Sequence, residues 1–76
     1  SGHFKPVSDA TRDLGTSASR WRNVYTTDLQ LSNENTGGNE VDGTEGNWTL
    51  QEGESDVYMI NRKTGKKYKM MLQEVD

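Results

Sequence analysis

Hydrophobic and polar positions alternate most clearly in the last third of the chain. Trp48 and Leu50 interleave with Thr49 and Gln51, the two-residue period of a strand buried on one side. Glu52-Gly53-Glu54-Ser55-Asp56 is turn chemistry, and Val57-Tyr58-Met59-Ile60 follows as a short apolar run rich in β-formers. Asn61-Arg62-Lys63-Thr64-Gly65 is a second turn, with Gly65 where a left-handed backbone is needed. From Lys66 to Gln73 the alternation resumes, with Tyr68, Met70 and Leu72 on one face and Lys67, Lys69 and Met71 on the other. These residues predict a three-stranded antiparallel meander over residues 48–76. Its expected core is Trp48, Leu50, Tyr58, Ile60, Tyr68, Met70 and Leu72, a set that doubles as a glycan-contact surface if its aromatic faces are exposed.

Upstream, Ser17 or Ser19 can cap a helical turn in which Trp21 and Tyr25, four residues apart, share a face. Asn23 and the β-branched residues at 24, 26 and 27 keep such a turn short. From Tyr25 the period changes to two, because Tyr25, Thr27, Leu29 and Leu31 alternate with Thr26, Asp28 and Gln30. Residues 33–47 hold four Gly, four Asn and four acidic residues, with Val41 the lone apolar side chain, and predict a long loop. The expected fold is all-β and mainly antiparallel, with one short helical turn near residues 17–24. Its divisions are a lead-in at 1–12, a strand-bearing segment at 13–32, the loop at 33–47 and the meander at 48–76. Ser1-Gly2-His3 has the look of a tag remnant.

Composition changes this picture in one respect. Leu, Ile, Val and Phe make up twelve of the 76 residues, and the mean hydropathy is −1.03. Such chains often stay disordered, yet the net charge is only −3, so the charge repulsion that favours disorder is weak. Chains this short need a staple. There is no Cys for a disulfide, and one His is too few for a zinc site. Oligomerisation is the remaining route to buried surface. Seven acidic residues and no basic one fall in 33–56, and five of the nine basic residues fall in 62–69. That division favours pairing between strands or between subunits.

Asp13-Leu14-Gly15-Thr16-Ser17-Ala18-Ser19-Arg20-Trp21-Arg22-Asn23-Val24-Tyr25 resembles the D-L-G-x4-R-W-x-x-(aliphatic)-Y pattern of phage tail-fibre and tailspike shafts, and Thr26–Leu31 continues the match. Asn47–Gly53 and Ile60–Lys69 are similar to C-terminal ends of structural proteins from tailed phages. The resemblance implies an intertwined parallel homotrimer, joined to the rest of a fibre on its N-terminal side and located in the virion. In such a trimer Leu14, Trp21, Tyr25, Leu29 and Leu31 can form a shared core, each buried Trp or Leu contributing roughly 1.5–3 kcal/mol. The acidic, Lys-rich continuation of fibres that carry a cleavable chaperone is missing from residue 32 onward, so self-cleavage is not implied. The meander is then expected to be the terminal cap.

Other chemistries find little footing. The basic run Arg62, Lys63, Lys66, Lys67, Lys69 sits in a chain of pI near 5.0, which favours a solvated turn and strand edge over nucleic acid. Gly65-Lys66-Lys67 lacks the spacing of a phosphate loop. His3 is the only imidazole, so no Ser/His/Asp or Cys/His set exists, and Glu52 and Glu54 lie in a polar turn unsuited to acid–base catalysis. Neither a catalytic residue nor a bound cofactor or metal is expected. No stretch approaches the roughly 20 apolar residues of a membrane span, so membrane insertion is not expected either. Three functions remain open: a structural trimerisation segment, a fibre tip binding a host-surface glycan through Trp48 and its aromatic neighbours, and a monomeric β-domain of unrelated origin.

Overall fold

Alternation at Asp28-Leu29-Gln30-Leu31-Ser32 and at Asn47–Glu52 sets the first two strands of the fold, seen in a computed structural model that describes residues 2–76. The strands are β1 (Asp28–Ser32), β2 (Asn47–Glu52), β3 (Val57–Asn61) and β4 (Lys67–Lys69), in spatial order β1-β2-β3-β4. Every neighbouring pair is antiparallel. The meander thus has four strands, one more than residues 48–76 supply, because β1 pairs with β2 along its whole length from Asp28↔Gln51 to Ser32↔Asn47.

The hairpins form where the turn residues require them. Glu52 and Val57 face each other across the first, which Gly53 closes by donating its N–H to the Asp56 carbonyl at 2.8 Å. In the second, the Asn61 side-chain oxygen accepts from the Lys63 and Thr64 N–H groups, at 2.9 and 3.3 Å. Gly65, at φ +77°, then donates to the Asn61 carbonyl at 2.7 Å. An Asx turn and a left-handed glycine together reverse the chain. β4 is shorter than the predicted run to Gln73: one further ladder bond, Met70 N–H to the Val57 carbonyl at 2.9 Å, ends the pairing.

The helical turn expected near residues 17–24 is absent, and no helix occurs among the described residues. Thr16 and Ser19 close a tight bend instead. The Thr16 N–H donates to the Ser19 carbonyl at 3.0 Å, and the Ser19 N–H donates to the Thr16 hydroxyl at 2.9 Å. A Thr side chain that satisfies its own turn competes with helix nucleation, and Asn23 and Val24 then offer little to extend a helix.

The 33–47 loop is held by its polar side chains. Asn33 accepts the Gly46 N–H at 2.7 Å and donates from its amide to the Thr44 carbonyl at 3.2 Å. The Asn39 side-chain oxygen accepts from the Val41 and Asp42 N–H groups. A loop with almost no apolar surface keeps its shape this way when side chains stand in for absent ladder partners.

The radius of gyration is 15.1 Å, against about 11 Å for a compact chain of this length. Accessible surface is 7462 Å², whereas a compact monomer of 8.6 kDa exposes roughly 4,700 Å². The described residues form one sheet, with no second sheet or helix to pack on it, and the chain leaves unburied much that a compact globular domain would bury.

Candidate functional site

The register sorts the strand residues into two unlike faces. Successive residues point to opposite sides and directly paired residues to the same side. Leu29 pairs with Leu50, Leu50 with Met59, and Met59 with Tyr68. Leu31 pairs with Trp48, and Val57, two residues from Met59, pairs with Glu52 at the other end of β2. All these side chains share one face, with two polar members, Asn61 opposite Trp48 and Glu52 opposite Val57. The Trp48 and Tyr68 rings meet across β3 with centroids 5.6 Å apart at 44°, a tilted contact within the favourable range for aromatic pairs.

Among the described residues this apolar face keeps substantial exposure. Leu29, Leu31, Tyr68 and Met70 keep between 40 and 47% of their exposure. Trp48, Leu50, Val57 and Met59 are half-buried. Singly exposed apolar residues are ordinary, whereas large contiguous apolar patches are uncommon on monomeric proteins.

The opposite face is polar, yet it holds the only two buried residues described, Thr49 at 0% and Ile60 at 7% exposure. They pair directly at the centre of the sheet. The Thr49 hydroxyl donates to Gln30 Oε1 at 2.5 Å and accepts from Arg62 Nε at 2.9 Å. Gln51 donates to Asp28 Oδ1 at 3.3 Å on the same side. The polar face is thus tied by side-chain hydrogen bonds, whereas the apolar face keeps exposed side chains.

The predicted meander core is consequently divided. Trp48, Leu50 and Tyr68 stand on the apolar face with Leu29 and Leu31 from the strand-bearing segment, whereas Tyr58 and Ile60 stand on the polar one. Met70 and Leu72 follow β4, and Leu72 is exposed. The remaining candidates, Leu14, Trp21 and Tyr25, lie on the arm before β1 and are largely exposed, Trp21 at 64% and Tyr25 at 92%. Met59 and Val57 belong to the apolar face but were not singled out from sequence, since the unbroken run 57–60 gives no sign of which residues point which way.

At the loop end of the sheet, charge is concentrated and partly organised. The Glu45 carboxylate accepts the Gly37 N–H at 3.2 Å. Backbone N–H groups of Asn35 and Gly37 first, with Lys63 a lesser contributor, hold it below the ordinary carboxylate range. The Asn39 amide, then the Thr44 hydroxyl, lower Asp42 likewise. Lys63 Nζ donates to the Glu45 carbonyl at 2.9 Å and lies 4.0 Å from Glu34, an exposed pair of small energetic weight.

Among the described residues no three His, Cys, Asp or Glu side chains group as a metal site would require, and no helix is long and apolar enough to cross a membrane. The concavities on the arm, such as that beside Ala18, Arg20 and Trp21, lie away from the sheet. No family model, curated protein or solved structure matches the chain.

Proposed function

We propose that this chain is a non-enzymatic, self-associating structural segment from the C-terminal end of a phage tail-fibre-type virion protein, working as a homotrimer. The observation that carries the self-association is the open apolar face formed by Leu29, Leu31, Trp48, Leu50, Met59 and Tyr68. The chain exposes about 2,800 Å² more surface than a compact monomer of its mass would, surface that association can bury. Assignment to a tail fibre, and with it the three-fold number and the virion location, draws on the Asp13–Tyr25 motif.

Light scattering tests this reading. A mass near three times 8.6 kDa that persists at micromolar dilution supports it. A compact, cooperatively folding single chain would favour an unrelated monomeric β-domain and refute the proposal.

A second reading has a specific observation behind it. Trp48 and Tyr68 present adjoining rings beside the Asn61 amide on an open face, an arrangement able to stack on a sugar. The face can serve as a glycan platform or as a subunit core, but not both. Glycan-array binding that Trp48→Ala abolishes, with the sheet intact, would favour the receptor-binding tip.

A further inference from the structure

The arm before β1 and the apolar face of the sheet have the same deficiency. Leu14, Trp21, Val24 and Tyr25 are exposed on one, and Leu29, Leu31, Tyr68 and Met70 on the other. Within one chain both keep that exposure. We infer that the arm of one copy, through Leu14, Trp21 and Tyr25, lies on the apolar sheet face of a second copy. This rests on the self-association proposed above and specifies its geometry.

Charge favours this arrangement over sheets packed face to face. Residues 2–25 carry Lys5, Arg12, Arg20 and Arg22 against Asp9 and Asp13. The sheet end where the arm departs has an acidic excess: Asp28 pairs with Gln51 there and Glu52, Glu54 and Asp56 form the adjacent turn, against Lys69 in the same cross-strand row. In a three-fold packing of like faces, the same acidic turn from each copy would converge at one end of the axis, where like charges repel. An exchanged arm instead brings Arg20 and Arg22, which flank Trp21, to a neighbour's acidic end, while the indole meets Leu and Met side chains. Complementary charge of this kind fixes the register and orientation of a contact. Reach is sufficient, since the thirteen residues from Asp13 to Tyr25 span up to about 43 Å when extended, more than twice the roughly 19 Å across four strands.

The chain contains no Cys, so introduced thiols report cleanly. Ala18→Cys places a thiol on the arm beside Trp21, and Met59→Cys places one at the centre of the apolar face, opposite Leu50 and Tyr68. An isotope-labelled Ala18→Cys chain is unfolded and refolded with an unlabelled Met59→Cys chain, treated with a short bis-maleimide and read by mass spectrometry. Mixed 18-to-59 products in several-fold excess over 59-to-59 products are expected. An oligomer that cross-links only 59 to 59 overturns the arm exchange and leaves self-association standing, whereas a single-chain mass overturns both. A second readout needs no thiol: in Trp48→Phe, Trp21 is the only indole. Blue-shifted emission that resists acrylamide is expected in the assembled state, and the emission of a water-exposed indole would overturn the inference.

Discussion

The Trp21 indole lies against the bare backbone of Gly15. A methyl group on that glycine would stand 3.4 Å from indole Cδ1 and 3.2 Å from the Ser19 carbonyl oxygen, and the glycine itself sits at φ +85°. The six-residue spacing between them is what the Thr16–Ser19 bend closes. This gives the Asp13–Tyr25 motif a physical meaning: a left-handed glycine turns the chain so that the tryptophan can fold over it, and the bend holds the loop shut. Gly15→Ala should therefore lose about 1–2 kcal/mol per chain for the left-handed conformation alone, with added crowding at Ser19. A melting temperature equal to the parent's, at matched protein concentration, would show that the loop does not contribute to the stable state.

The apolar face makes a second, directional prediction. Leu31→Lys puts a charge beside Trp48 at a position which, once covered, has no counter-ion within the sheet. Burying an unpaired charge costs several kcal/mol, so the variant should dissociate at concentrations where the parent stays assembled. Lys67→Ala, on the polar face of β4, should leave the mass unchanged. Equal masses for Leu31→Lys and the parent in sedimentation would mean that the face stays wet.

Thr49 is the most deeply buried residue described, and it joins three strands by bonding Gln30 of β1 and Arg62 beyond β3. Thr49→Val keeps the shape and removes both hydrogen bonds. Gln30 and Arg62 are exposed enough for water to replace the hydroxyl, so the cost should be only about 1 kcal/mol. Thr49→Ala also removes buried bulk next to Ile60 and should cost more. Urea unfolding of the two variants checks the order, and Thr49→Val being the worse would show that the polar chain, rather than packing, holds the sheet centre.

Much of this architecture can be read in the sequence, and what cannot has identifiable causes. β1 and β2 are legible because Leu29/Leu31 and Trp48/Leu50 alternate strictly with polar residues. The facing of β3 is not, since Val57-Tyr58-Met59-Ile60 is apolar throughout and its parity depends on the Glu52↔Val57 closure of the hairpin. A shift of one residue would have exchanged the two faces, which is why Tyr58 and Ile60 join the predicted core yet stand opposite Trp48 and Leu50. The helical turn was suggested by Trp21 and Tyr25 at i,i+4, a spacing that one turn of helix shares with many bends. What decides between them is Gly15, six residues away, and the Thr16 hydroxyl, neither of which enters a periodicity argument. The open face itself was legible only as a shortage of apolar residues, because its position follows from a pairing of β1 with β2 across a long polar loop.

That loop supplies a dependence on pH. Glu45 and Asp42 are each held below their ordinary values of 4.5 and 3.8, by backbone N–H groups of Asn35 and Gly37 in the first case and by Asn39 and Thr44 in the second. A carboxyl whose folded pKa is lowered contributes stability that is present above the unfolded value and is lost as pH falls through the folded one. Stability should thus hold between pH 7 and 5 and decline below about 4.5, and raising salt should have little effect, because hydrogen bonds rather than distant charges cause most of the shift. Glu45→Gln separates this loop from other acid effects. Its melting temperature should fall below the parent's at pH 7, and the gap should narrow as pH drops toward 3, where the parent's Glu45 takes up a proton and loses the same advantage. Thermal melts of both chains at fixed concentration measure that gap. A gap that stays constant from pH 7 to 3 would mean that the carboxylate does not hold the loop, and that Asn33 and Asn39 keep the β1–β2 connection in shape without it.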